Sequence, residues 1–457
     1  MNCQVTTELF AMPYKEDFVI YAPLKHIALV MNQDAVQCLA LIQEGAEIDV
    51  SSGAVTRFLE ILEKYGIVNG ETDIQANRLA EYSDQPTHVT LFPTYDCNLR
   101  CLYCYSWGGN DPLKMPWEIA KAAIDFVCAN TLAQKKESFE VDFHGGGEPT
   151  CHWSVLVRSV EYAKRLASKN ALKTFARITS NCVLSVSQME WIVAHLKYLT
   201  ASFDGLPDIQ NNQRPLASGK GSYEFVAASL KYFDKVGFPY GIRATITEAS
   251  VSLMSEMVEH FCENFQTRKL HFEPLFECGR CSTSRLSAPD AHIFVKEFRR
   301  AQDAAEKYKA RLDYSGARIS VLTSIFCGGA GRNFTVLPDG NVTSCHEVCR
   351  ATDPRSKHFF YGFYDKDTGT FVFDANKKRY LAGRKVQNIP FCSRCLAKWH
   401  CAGDCLAKAI LQTGDMFIPF GERCWSNREL VGDQIVAIAL GSRVFLEKEM
   451  KVEVLPC

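Results

Sequence analysis

Between residues 88 and 276, six short apolar stretches alternate with amphipathic helices, and this alternation restricts the fold more than any other feature. The strand candidates are His88–Pro93, Phe139–His144, Phe175–Thr179, Leu199–Phe203, Tyr240–Thr245 and Leu270–Phe276. Between them, Pro116–Cys128, Ser154–Ala167, Ser187–His195, Tyr223–Val236 and Ser252–Phe265 carry apolar residues at helical spacing. Strand–helix units in series predict an α/β fold, a partial parallel (β/α)6 barrel. In such barrels chemistry sits at the C-terminal ends of the strands.

The flanking regions read differently. Phe18–Met31 has the pattern of a hairpin around Ala22-Pro23, and Asn32 is placed to cap a helix over Gln33–Gln43. A second helix is expected from Ser51 or Ser52 to Lys64, stopped at Gly66, before a polar linker over 70–86. After the barrel come a helix over Asp290–Lys309 and an irregular stretch with short strands at Phe334–Leu337 and Asn341–Ser344. The expected organisation is a small N-terminal unit (1–80), a barrel (87–285), a helical bridge (286–326), a cysteine-rich domain (327–430) and a tail (431–457). A net charge of −1 gives no electrostatic case for nucleic acid. No apolar run approaches the ~18 residues of a membrane span. The N-terminus lacks a basic-then-apolar signal, so a cytoplasmic protein is expected.

Twenty cysteines are a large excess for such a chain, and metal ligation accounts for them better than disulfides. Cys97, Cys101 and Cys104 follow the first strand directly. Three thiolates on one loop hold three irons of a cubic cluster and leave the fourth open, whereas clusters that only carry electrons are mostly closed by four cysteines. A zinc site or three buried thiols is the plainer reading of these residues alone. With Tyr103 before the last cysteine, the motif resembles the signature of the radical S-adenosylmethionine (SAM) enzymes. That resemblance implies that the open iron chelates SAM and splits it to a 5′-deoxyadenosyl radical. Gly145–Pro149 resembles the family's GGEP segment, which implies that Gly146, Gly147 and Glu148 hold the SAM amino group. Thr179-Ser180-Asn181 stands where relatives contact the ribose, although Cys182 replaces their usual glycine. Ser202-Phe203-Asp204-Gly205 is similar to a Ser-x-Asp-Gly motif of the peptide-modifying branch, with Arg214 at the spacing of that branch's arginine. Ser202 and Arg243 are the candidates for the SAM carboxylate, and Tyr103, Ser180, Asn181 and Asp204 complete the expected cofactor contacts.

A second array runs Cys327, Cys345, then Cys392, Cys395, Cys401 and Cys405, then Cys424. Its spacing resembles the seven-cysteine SPASM extension of radical SAM enzymes that act on peptides. The resemblance implies two auxiliary 4Fe-4S clusters and so three clusters in all. Cys327, Cys345 and Cys405 would serve the first, and Cys392, Cys395, Cys401 and Cys424 the second. The cysteine that closes the first cluster in relatives is missing, so either Cys349 completes it or one iron stays open to a substrate thiolate. Cys278 and Cys281 form a further pair of open role; Cys3, Cys38, Cys128, Cys151, Cys182, Cys262 and Cys457 have no patterned partners. The N-terminal unit resembles the PqqD-like winged-helix domain that captures leader peptides as an added strand.

The three resemblances together imply a peptide maturase that removes a hydrogen from a ribosomally made precursor peptide and installs a thioether or carbon–carbon crosslink. They also imply an electron donor such as flavodoxin or ferredoxin. The nearest alternative is an anaerobic sulfatase maturase, but His346 stands where those enzymes carry an aspartate after the cysteine. A non-catalytic iron–sulfur electron carrier is the alternative from another class.

Overall fold

The computed structural model describes residues 5–6, 8–45, 53–70 and 85–441. Most of the expected linker, Cys3, Cys457, the expected cap at Ser51 or Ser52 and positions 442–457 lie outside these residues. The chain opens on an antiparallel sheet of β1 (Phe10–Tyr14), β2 (Asp17–Ala22) and β3 (Ile27–Met31), in that order. β2 and β3 are the expected hairpin, joined by one helical turn at Pro23–Lys25. β1 is a strand that the sequence reading omits: Pro13 argues against a strand, yet an edge position tolerates a residue without an N–H. Asn32 caps the helix Gln33–Gln43 as expected, its Oδ1 accepting from the Ala35 N–H at 3.1 Å.

Because side chains alternate across a strand, the small sheet has two buried faces. Ile20, Leu29 and Met31 pack on Leu39, Phe58 and Leu62 of the helices Gln33–Gln43 and Gly53–Lys64. Val19, Tyr21, Ala28 and Val30 join the main core, where the sheet meets the helix Gly421–Leu440. The N-terminal unit is thus docked onto the body of the molecule.

All six expected barrel strands form: β4 (His88–Leu91), β5 (Ser138–Phe143), β6 (Lys173–Ser180), β7 (Tyr198–Ser202), β8 (Tyr240–Ile246) and β9 (Lys269–Pro274). They pair in parallel in chain order, and a short seventh, β10 (Arg311–Asp313), adds to β9. Phe139, Val141 and Phe143 of β5 are fully buried on one face of the sheet, while Glu140 and Asp142 on the other meet Arg177 of β6. A sheet with one polar concave face is what an open barrel presents.

The sheet does not stop at β4. β11 (Thr335–Val336), β12 (Asn341–Thr343), β13 (Phe360–Asp365) and β14 (Thr370–Phe373) extend it to eleven strands. β11 lies parallel to β4: Thr90 N–H donates to Phe334 O and Phe92 N–H to Val336 O, both at 3.0 Å. The expected barrel and cysteine-rich domain therefore share one sheet. The boundary expected at 430 falls inside the helix Gly421–Leu440, which packs on Ala291–Lys307 with Arg299 bonded to Glu429 (3.0 Å) and Asp433 (2.6 Å). No described helix is long and apolar enough to cross a membrane.

Val30 is buried in the face that docks the small sheet. Val30→Asp places an unpaired carboxylate there, at a cost of ~3 kcal/mol or more. A lowered urea midpoint with earlier proteolytic release of the N-terminal unit is the expected result.

Candidate functional site

The loop after β4 carries Cys97, Cys101 and Cys104, and the loop after β5 carries Gly145–Glu148; the two are laced together. Gly147 N–H donates to Thr94 O (3.0 Å), Glu148 N–H to Asp96 O (2.8 Å), and Ser106 Oγ to Gly146 O (2.6 Å). A Cβ on Gly147 would stand 2.0 Å from Asp96 O, and one on Gly146 2.4 Å from the Tyr95 ring. Glycines are required here because backbone meets backbone. The Cys278–Cys281 segment clamps the cysteine loop from its other side. Arg280 donates to Cys101 O (2.9 Å) and Gly108 O (2.7 Å), and a Cβ on Gly279 would fall 2.5 Å from Cys104 O.

The three thiols act on one another electrostatically, and burial pushes Cys97 well up and Cys101 to about 11. Thiols this deep ionise only beside a strong positive charge, which a bound metal supplies. Backbone N–H groups already point at the sulfurs: Leu99 at Cys97 (3.4 Å) and Gly108 at Cys104 (3.3 Å). The donor set fits an iron–sulfur cluster.

Glu148 is 3% exposed. Its carboxylate accepts from Asn181 N–H (2.8 Å), Ser180 Oγ (2.9 Å) and both the N–H and Oγ of Thr150. Burial raises its pKa against these bonds. Cys182, where a glycine was expected, has φ of +60°, the left-handed conformation that favours glycine. The backbone keeps the turn and the cysteine bears the strain. Asp204, expected to contact the cofactor, is completely buried and spent on the protein: it accepts from the Tyr103 hydroxyl (2.5 Å), Gln213 (2.9 Å) and Thr245 N–H (3.1 Å). Arg214 closes this network, donating to Tyr103 at 2.7 Å. Asp204 fixes the aromatic residue of the cysteine motif and does not line the cavity, whereas Tyr103, Ser202 and Arg243 do. The Arg243 side chain makes no hydrogen bond or ion pair among the described residues, and its carbonyl accepts from Phe203 N–H at 3.0 Å.

That cavity, of about 240 Å³, brings together Cys97, Cys101, Cys104, Gly146, Gly147, Glu148, Ser180 and Asn181. It is also lined by His144, Glu273, Glu347 and Lys408, which the sequence reading does not assign to the site, and by Cys278. His144 and Glu273 end or follow barrel strands, a position that marks chemistry. Glu347 and Lys408 arrive from the cysteine-rich region and have no local signal. Glu273 accepts from Arg423 (3.2 Å) and lies 3.6 Å from Lys408, while Arg423 also binds Asp404 at 2.7 Å; against burial, the His271 hydrogen bond and then these cations hold Glu273 well below the usual carboxylate range. His346 faces elsewhere, buried against Phe92 and 4.9 Å from the His144 ring.

Cys392, Cys395, Cys401 and Cys424 line one further cavity of about 200 Å³, with Asn427 donating to the Cys401 sulfur at 3.2 Å. Cys345 and Cys405 pack in a common cluster, and Cys327 reaches it through Gly329, whose Cβ would lie 3.2 Å from that sulfur and 3.0 Å from Leu406. Cys349 is not with them, contrary to the option that it completes this set. It packs with Phe92, Tyr95 and Leu337, and its sulfur is 3.6 Å from the Cβ position of Gly146, because the turn after Cys345 carries it toward the barrel.

Gly147→Ala is expected to lose the iron bound by the first three cysteines on anaerobic reconstitution, while Gly432→Ala, with open space around it, retains it. Burial and Arg243 lower His144 from 6.5 to about 4, so folding requires the neutral ring. Its contribution is present above pH 6.5 and is lost as pH falls through 4, on the order of 3 kcal/mol. His144→Asn, which keeps an acceptor for Gly145 N–H, flattens the acid limb of the stability profile measured by thermal unfolding.

Residues 91–248 match the family model of the Radical SAM superfamily, and this segment is a radical SAM domain. A curated relative, an uncharacterised protein of Methanocaldococcus jannaschii, is 28% identical over 42% of this chain and 64% of its own length. The cysteine-type anaerobic sulfatase-maturating enzyme of Clostridium novyi is 20% identical over 68% of this chain and 85% of its own. Mycofactocin maturase MftC of Mycobacterium tuberculosis is 25% identical over 71% and 79%. The chain spans less than two thirds of the length of the first of these. Among solved structures, anSMEcpe with bound AdoMet has a TM-score of 0.62 at 18% identity, covering 78% of this chain and 95% of its own. Streptococcus suis SuiB bound to its precursor peptide SuiA has a TM-score of 0.53 at 14% identity, covering 92% and 99%. These likenesses establish the fold.

Proposed function

With a radical SAM domain at residues 91–248 as the premise, we propose that this chain abstracts hydrogen from a peptide and installs a crosslink, thioether or carbon–carbon, in a ribosomally made precursor. The observation that carries this reading is the composition of the central cavity. Three cysteines and Glu148 line it together with Glu347 and Lys408 of the cysteine-rich region. Cys97, Cys101 and Cys104 would hold a 4Fe-4S cluster, which supplies the electron that cleaves SAM to a 5′-deoxyadenosyl radical. Glu148, locked by four donors, offers its charge to the SAM ammonium group. Arg243, midway along β8 and with no side-chain partner among the described residues, and Ser202 would take the carboxylate. Ser180 and Asn181 orient Glu148 and line the ribose side. Tyr103 is held by Asp204 and Arg214 and so fixes the height of the cysteine loop. Walls contributed by two regions exclude water from the radical until it meets the substrate carbon.

Cys392, Cys395, Cys401 and Cys424 would close one auxiliary cluster, and Cys327, Cys345 and Cys405 would hold another, available to take up the surplus electron. An electron donor such as flavodoxin or ferredoxin completes the cycle. For the N-terminal unit we propose leader-peptide capture on its sheet; SuiB, of the same fold, is solved bound to its precursor peptide SuiA, which supports a peptide substrate. Formylglycine formation is the second reading, favoured by the length over which the sulfatase-maturating relative aligns. Against it, His346, the residue after Cys345, does not line the cavity.

Anaerobic reconstitution with SAM, a strong reductant and short cysteine-containing precursor peptides tests the proposal. The expected result is 5′-deoxyadenosine together with a peptide lighter by two hydrogens. Absence of 5′-deoxyadenosine leaves only the electron-carrier reading, and formylglycine transfers the chain to the sulfatase class. Glu148→Gln is expected to weaken SAM binding about tenfold or more, read by equilibrium dialysis.

A further inference from the structure

The set Cys327, Cys345 and Cys405 lacks a fourth cysteine, yet a different donor stands beside it. Asn333 occupies the stretch after Cys327, and its amide is spent on Ser344 O at 3.0 Å. Glu347 is two residues beyond Cys345, in the turn that follows β12. Its carboxylate charge acts on all three thiols, Cys327, Cys345 and Cys405. Its side chain is 31% exposed, but Oε2 is buried and makes no hydrogen bond among the described residues; its ion-pair partner, Nη1 of Arg355, stands 4.0 Å away and makes no hydrogen bond there either. A buried carboxylate oxygen left without a donor costs free energy unless a cation takes it. Every other carboxylate on the cavity wall is satisfied: Glu148 by four donors, Glu273 by Arg423 and His271.

We propose that Glu347 is the resident fourth ligand of the first auxiliary cluster, its carboxylate oxygen closing the iron that the three thiols leave open. The inference rests on the auxiliary-cluster reading given above and goes beyond it in replacing both Cys349 and a permanently open iron. It has a chemical consequence. Oxygen is a harder donor than sulfur, so the Glu347-bound iron is distinct from its three neighbours in the cluster. The site also faces the central cavity, since Glu347 lines it.

The test uses the full chain in a background where Cys97, Cys101 and Cys104 are alanine, so that auxiliary iron alone is read. With Glu347 present, Mössbauer spectra should show one inequivalent iron in one cluster, and excess free cysteine should leave the electron paramagnetic resonance of the reduced protein unchanged. Glu347→Gln should make that resonance shift on adding cysteine, or lose about four irons per chain. Glu347→Cys should restore the iron and abolish both the inequivalence and the response to cysteine. Identical spectra for Glu347→Gln and its parent, with and without cysteine, overturn the assignment, as does a parent that itself responds. If Cys327→Ala, Cys345→Ala and Cys405→Ala together lose no iron, the auxiliary-cluster reading itself fails, which separates the two conclusions.

Discussion

The hydrogen bonds between β4 and β11 are the constraint on which the rest of the structure depends. β4 delivers the cysteine loop and is the edge of the barrel sheet. An unpaired edge beside a cluster loop would be both sticky and loose. Pairing β11 there covers the edge and sets the level at which the cysteine-rich region begins. From that level β12 leads to Cys345 and then Glu347, which lines the same cavity as Cys97. One parallel ladder ties together two cysteine-bearing regions that are far apart in sequence.

A second tie acts at the other end of the barrel. Glu273 at the end of β9 meets Lys408 and Arg423, which flank Cys405 and Cys424. Arg423 in turn holds Asp404. Buried ions of this kind are costly to assemble and seldom add stability, but breaking one partner is worse than removing all, so they specify a single arrangement. The cysteine-rich region is thus pinned at both edges of the barrel, through backbone at β4 and through charge at β9. The cavity between is narrow because neither wall can drift.

Much of this was legible in the residues. The strands β5 to β9 and their helices follow from periodicity, since each strand buries one face on its own helices and needs no distant partner to be recognised. The cysteines, Glu148 and the glycines beside it stood out because few other residues serve those positions. Three features were not legible, each for a physical reason. β1 hides behind Pro13, which an edge tolerates, and β10 is only three residues long. Asp204 has the spacing of a cofactor contact but spends every bond on Tyr103, Gln213 and Thr245, a choice made by tertiary packing. Glu347 and Lys408 have no pattern at all, because their position is set by how one sheet continues into the next.

The docking of the small N-terminal sheet has a consequence for substrate choice. Leu24 packs beside Cys392 and Trp399, the Tyr21 hydroxyl meets the His400 ring, and Lys398 binds Glu8 at 2.6 Å. A module on a floppy tether would sample many distances from the reactive centre. Clamped against the cysteine-rich region, this one would work as a caliper. On the proposed reading, the number of residues separating a recognised segment from the modified side chain is dictated by the frame of the enzyme, and precursors of the wrong spacing are rejected without any contact to the residue that reacts.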